Sequence, residues 1–289
     1  MSEKKTHTLD APGAVLTYDV REPETASDAP ALVLIGLPMG AHGFGSLAAR
    51  LTDRRVVTYD PRGVERSTRE PDGSTLLADH VDDVLRVIDA VGGGPVDLVG
   101  SSGGAVVALE LAARHPEVLR TVVAHEPPLP AFLPDRDVVV AAMLDIHQTY
   151  RERGWGHAMA KFISLVMTSG ELGPEVLDRP DPDPAAFGLP VEDDGARDDT
   201  MLGSSMAWMP GLELDWEALT RPEPRVVIGV GADSGEEMAA RAARSIARRL
   251  GQEAAVFPGG HNGFTGGEYD QPGGDPAGFA ATLRRTLEA

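Results

Sequence analysis

The sequence predicts an α/β protein built on a doubly wound, mostly parallel sheet, and three observations carry that expectation. Short apolar runs recur along the chain, separated by stretches in which apolar residues keep helical spacing. Most of those runs are continuously apolar rather than alternating, the pattern of strands covered on both faces. At 289 residues and 42% hydrophobic content, the chain can bury a sizeable core, either as one large α/β domain or as two smaller ones.

Taken in order, residues 14–20 (AVLTYDV) read as an early antiparallel strand and residues 31–37 (ALVLIGL) as a buried one. Residues 44–53 (FGSLAARLTD) carry helical spacing, followed by a strand over 54–60 (RRVVTYD) and a helix over 77–92 (LADHVDDVLRVIDAVG). A strand over 95–101 (PVDLVGS), a helix over 105–116 (AVVALELAARHP) and a strand over 119–126 (LRTVVAHE) come next. The rhythm then breaks. Residues 137–154 and 156–170 are two helix-like pieces, and the acidic, proline-rich stretch 170–199 is expected to form an exposed loop. Alternation resumes with a strand over 224–231 (PRVVIGVG), a helix over 238–251 and a strand over 253–260 (EAAVFPGG). The expected organisation is a core over 1–128, a helical insertion over 129–223 resting on the sheet, and the remainder of the core over 224–289.

Composition removes several functions. There is no cysteine, so disulfides, thiolate metal sites and cysteine nucleophiles are out. A net charge of −19, from 26 basic and 45 acidic residues, is repelled by nucleic acid and by anionic membranes. The start, MSEKKTHTLDAPG, has lysines with no apolar stretch behind them, unlike a signal peptide, and no apolar run approaches the roughly 20 residues of a membrane span. The expectation is a cytoplasmic protein acting on a small molecule, with no nucleic-acid or membrane partner.

The most informative stretch is VDLVGSSGGAVVALELAARHP, residues 96–116. Gly100, Ser101, Ser102, Gly103 and Gly104 fit G-x-S-x-G with Ser102 at the centre, between a strand pattern and a helix pattern. Such a corner holds the serine in a strained conformation with Oγ clear of the sheet, which makes Ser102 the candidate nucleophile. Ser101 is the variable residue and is expected to point elsewhere.

At this point the chain resembles the α/β-hydrolase family, and the resemblance extends over most of its length. Residues 60–67 (DPRGVERS) look like the family's D-x-R-G-x-G-x-S turn, with Glu65 where glycine is usual. Residues 257–264 (FPGGHNGF) look like its late histidine loop. The resemblance implies an eight-stranded sheet with a helical cap inserted after the sixth strand, and a serine-dependent hydrolase. It makes His261 the base that a serine hydroxyl needs at neutral pH. Of the eight histidines, His125 is a candidate to line the pocket, His42, His147 and His157 could approach it but are read as structural, and His7 (in a polar tail), His80 and His115 are assigned no role.

Two carboxylates are candidates for the acid that orients the base. Asp233 follows the seventh strand, the commonest place in the family, and is also placed to cap a helix starting near Ser234. Glu126 ends the sixth strand, the place some members use, and is also suited to binding a backbone amide of the cap. The oxyanion hole is expected from the amide of Gly103 and, by alignment of IGLPMG (residues 35–40) with the family's H-G-x-P-G, from that of Leu37. Pro38 has no amide hydrogen to offer.

The insertion carries Met143, Met159, Met167, Met201, Met206 and Met209 with Trp155 and Trp208, suited to an adaptable apolar pocket. Gly229, Gly231 and Gly235 lack the G-x-G-x-x-G spacing of a dinucleotide turn, and neither an organic cofactor nor a metal is implied. The expected activity is hydrolysis of a carboxylic ester, thioester or lactone. Carbon–carbon bond hydrolysis, perhydrolysis and a non-catalytic receptor are the alternatives.

Overall fold

The computed structural model describes residues 3–70 and 75–289, so the first two residues of the polar N-terminal stretch lie outside it. Eight strands form one sheet in the order β1-β2-β4-β3-β5-β6-β7-β8. They are β1 (Lys4–Ala11), β2 (Ala14–Arg21), β3 (Leu32–Ile35), β4 (Val56–Asp60), β5 (Val96–Ser101), β6 (Leu119–His125), β7 (Arg225–Gly231) and β8 (Ala255–Phe257). From β4 to β8 all neighbours are parallel, while β1 and β2 are antiparallel.

The parallel strands are buried on both faces, which explains their continuous apolar runs. On β3, Val33 and Ile35 face one side with Val57 of β4, Leu98 of β5 and Ile228 of β7. That side is covered by α2 (Leu77–Ala90), α3 (Gly103–Arg114) and α7 (Met238–Arg249), through Val84, Val106 and Ile246 among others. Leu32 and Leu34 face the other side, where α1 (Gly45–Ala48) and α8 (Pro276–Glu288) bring Leu47, Phe279 and Leu283. The Asp275 carboxylate caps α8 by accepting from the Gly278 amide at 2.9 Å, and Pro276 occupies its first turn.

Two expectations need correction. The stretch taken for a polar tail is β1, paired with β2 from Lys4↔Arg21 to Ala11↔Ala14, and His7 stacks on Tyr18 at 5.2 Å. It is an edge strand with most residues exposed, so no apolar periodicity marks it. Residues 44–53 supply only the short α1, preceded by a 3₁₀ turn over Ala41–Phe44.

Between β6 and β7 lie α4 (Arg136–Arg153), α5 (Trp155–Val166) and α6 (Met206–Trp208). Gly154, at φ +85°, makes the corner between α4 and α5. Residues 170–199 are largely exposed, with 3₁₀ turns at Pro174–Val176 and Pro184–Phe187. The segment is pinned to α7 by a buried ion pair. Arg241 bonds the Asp135 carboxylate, which also accepts from the Leu172 amide at 2.7 Å. Among the described residues no helix is long and apolar enough to cross a membrane.

Candidate active site

The parallel strands end on one edge, and three of their ends bring the site together. At the end of β5, Ser102 has φ +55° and ψ −126°, a left-handed conformation that costs a non-glycine residue about 1–3 kcal/mol. Its amide donates to the His125 carbonyl at 3.0 Å and its carbonyl accepts from the Ala105 amide at 2.9 Å, so both flanking elements hold the strain. The corner also demands small neighbours. A Cβ on Gly104 would stand 2.4 Å from the Ile35 carbonyl oxygen, and one on Gly100 only 2.3 Å from that of Gly104.

Glu126, just past β6, also has positive φ, +49°, and is completely buried. One carboxylate oxygen, Oε1, accepts from the Gly231 amide at 2.8 Å, and Oε2 lies 2.6 Å from Nδ1 of His261. Burial pushes the Glu126 carboxyl up, but the His261 hydrogen bond and the nearby His125 and His261 rings outweigh it, and its pKa falls to about 2. The amide that Glu126 binds belongs to β7, not to the inserted helices. Its contact leaves Nε2 of His261 as the proton acceptor for a partner on the cavity side.

Ser102 and His261, whose side chain is 31% exposed, are walls of the same two cavities. Among the described residues the Ser102 hydroxyl makes no hydrogen bond; catalytic bonds often close only around substrate. Asp233 takes no part in this cluster. It is exposed, its amide donates to the Gly259 carbonyl at 2.9 Å, and α7 starts at Met238 rather than near Ser234, so Asp233 does not cap it.

The loop after β3 lies against the serine corner. A Cβ on Gly103 would stand 2.6 Å from the Leu37 carbonyl oxygen. The Gly103 amide opens α3, where no intrahelical acceptor exists. The Leu37 amide likewise donates to no other group among the described residues. The loop is steadied by the residues 60–67 turn. Asp60 Oδ1 accepts from the Ala41 amide at 2.7 Å, Oδ2 accepts from Arg66 Nε at 2.6 Å, and Arg66 also pairs with Asp19. Glu65, where the family pattern has glycine, adopts φ +47° and bonds the Tyr269 hydroxyl.

One cavity, of about 410 Å³, is lined by Met143, Met167, Met201, Met206 and Met209, as the sequence suggested, together with Met238. Met159, Trp155 and Trp208 instead pack against the core. The second, also about 410 Å³, is bounded by Val64, Glu65, Ser101 and Tyr269, of which Ser101 is a buried residue. His125 lines neither: it is fully buried against Phe257 and Phe279, and that burial lowers its pKa to about 4. His42 packs on Tyr269, His147 bonds the Leu202 carbonyl, and His157 sits on the surface beside Arg153. No cluster of three or more metal-ligating side chains occurs among the described residues. Sequence reasoning missed Tyr269, Asn262 and Glu237, which line the cavities from loops whose only signal was proximity to motifs already noted.

Comparison with known proteins bears on the family and the fold. Residues 30–170 match the family described as the alpha/beta hydrolase fold. An uncharacterized hydrolase of Bacillus subtilis strain 168, YraK, is 30% identical over 275 residues, covering 89% of this chain and 90% of that one. A 2-hydroxymuconate semialdehyde hydrolase of Pseudomonas putida is 41% identical over 98 residues, 32% of this chain and 34% of its own. Among solved structures, the enol-lactonase from Burkholderia xenovorans LB400 superposes with a TM-score of 0.64 at 18% identity, covering 98% of this chain and 100% of that one. A thermophilic esterase from Thermogutta terrifontis does so with a TM-score of 0.64 at 19% identity, over 99% and 98% of the two chains. With a relative this similar across nearly its whole length, the chain belongs to the α/β-hydrolase fold family and is a hydrolase.

Proposed function

We propose that the enzyme hydrolyses a carboxylic ester, thioester or lactone of a moderately hydrophobic small molecule through an acyl-enzyme. The observation that carries this reading is the 2.6 Å contact between buried Glu126 and His261, set beside the strained serine of the β5–α3 corner. Ser102 Oγ attacks the carbonyl carbon while His261 Nε2 takes its proton. The Gly103 and Leu37 amides donate to the resulting oxyanion, and Glu126 holds the imidazole in the required tautomer and offsets its charge. Collapse expels the alcohol or thiol, which receives the proton from His261. Water, deprotonated by His261, then releases the acid and regenerates Ser102. The order serine, acid, histidine along the chain matches that of the family fold.

The inserted helices over 129–223 act in this reading as a cap whose methionines cover one side of the substrate, in a cytoplasmic enzyme that needs no nucleic-acid or membrane partner. The similarity of residues to the Pseudomonas putida enzyme favours carbon–carbon bond hydrolysis as the second reading, on the same serine and histidine. Intact-mass analysis after treatment with a fluorophosphonate tests the shared step. One adduct on wild type, absent from Ser102→Ala, is the expected result; a folded wild type that stays unlabelled by large and small probes alike would overturn it. Product analysis on ester and vinylogous diketone substrates then separates the two readings.

A further inference from the structure

Among the described residues, the methionine-rich cavity beside Ser102 is lined by one charged side chain outside the Ser102–His261 centre, that of the exposed Glu237. Its other polar walls are Ser205, whose hydroxyl is turned to the Thr200 carbonyl at 3.3 Å, and Asn262. Glu237 is held in place by its backbone. Its amide donates to the Ser234 carbonyl at 3.1 Å, its carbonyl accepts from Arg241 at 3.0 Å, and it forms an antiparallel bridge with Ser169 of the inserted segment. Glu237 thus stands where the segment bearing Ser169 meets the start of α7, and it lines the same cavity as Met238, Ser102 and His261.

Among the described residues the Glu237 carboxylate has no ion pair and no hydrogen bond. The nearby arginines are committed elsewhere: Arg241 pairs with Asp135, and Arg244 pairs with Glu236 and bonds the Gly235 carbonyl. Burial, followed by the negative charge of Glu126, raises the Glu237 pKa, while His261 opposes the rise. Glu237 is exposed, so solvent screens its charge while the cavity is empty; a ligand that displaces that water leaves the carboxylate unpaired unless it brings a cation. A neutral hydroxyl would satisfy its hydrogen bonding but leave the field of two carboxylates uncompensated. An anionic ligand would be repelled by both.

We propose that Glu237 is a specificity-determining residue that binds a protonated amine of the substrate, while the methionines take the apolar chain linking that amine to the scissile carbonyl. This rests on the reading of the cavity beside Ser102 as the substrate pocket, and it narrows the substrate class to cationic amphiphiles. Glu65 offers no equivalent site in the second cavity, because Tyr269 already occupies its carboxylate.

Isothermal titration calorimetry with hexylammonium and with 1-hexanol at neutral pH tests the assignment without requiring turnover. Wild type is expected to bind the ammonium about threefold more tightly, the scale of one exposed ion pair. Glu237→Gln, close in size and with the same backbone, should remove that difference. Glu236→Gln, exposed and outside the cavity, should keep it. Equal affinities in wild type, or a preference that survives in Glu237→Gln, would overturn the assignment. The two proposals fail separately: Ser102-dependent ester cleavage without ammonium preference removes this one alone, and ammonium preference without Ser102-dependent cleavage removes only the other.

Discussion

Glu126 and His261 are separated by 135 residues of chain, yet Oε2 of one lies 2.6 Å from Nδ1 of the other, and the remaining carboxylate oxygen is held by the Gly231 amide. The contact joins the end of β6 to the loop after β8 and uses the amide of β7 as its anchor. A carboxylate so completely buried is kept ionised by these partners, which is why its pKa sits near 2 rather than above the usual range.

That contact predicts a sharp asymmetry between two acids. Glu126→Gln keeps the shape but allows the wrong histidine tautomer, and kcat on an activated ester should fall by about 10³–10⁴-fold. Asp233→Asn should change kcat by less than about threefold, as expected for an exposed carboxylate outside the cluster. Steady-state kinetics on the two purified variants gives the answer; equal losses would return Asp233 to the site.

The serine corner predicts a stability cost at a position that touches no substrate. Gly104→Ala places a methyl group 2.4 Å from the Ile35 carbonyl oxygen, so the α3 helix and the β3 end must separate. The expected loss is about 1–3 kcal/mol in urea unfolding, with slower fluorophosphonate labelling of Ser102 as the elbow shifts. Unchanged stability would mean that the crossing is looser than the distances indicate.

Arg62 and Asp83 form a buried bidentate pair at 2.7 and 2.6 Å beneath the turn over residues 60–67. Removing one partner leaves the other charged and dry. Arg62→Met should therefore cost about 3–5 kcal/mol, whereas the double variant Arg62→Met/Asp83→Leu should recover most of that loss. Urea unfolding of the single and double variants measures both values, and a double variant as unstable as the single one would point to lost packing instead.

Two fully buried histidines set the acid limit of stability. Burial lowers His125 to about 4; burial, then Arg62 and Arg69, lowers His80 to about 3, both from an ordinary 6.5. Below pH 6.5 the unfolded chain binds these protons and the folded chain does not, so stability falls with pH until the folded values are passed. Each contributes a slope of up to about 1.4 kcal/mol per pH unit. Glu126 adds to the loss in the same direction between its ordinary 4.5 and about 2. Unfolding free energies across this range should show the decline, and His80→Leu should flatten it; an unchanged slope in that variant would exclude His80.

The sequence by itself determined most of the architecture and half of the site. Continuous apolar runs identify strands buried on both faces, and local turn chemistry identifies Ser102 and the loop of His261, because both signals are contained in a few adjacent residues. β1 escaped because an exposed edge strand buries too little to impose a periodicity. The choice between Glu126 and Asp233 was not legible, since both follow strands that end on the same edge. Only the tertiary structure separates the two, by turning Glu126 inward at φ +49° onto the Gly231 amide and His261 while leaving Asp233 in solvent. The same holds for Glu237, whose distinction is the lack of a partner. Pairing and burial are properties of elements brought together from distant parts of the chain, and no local pattern encodes them.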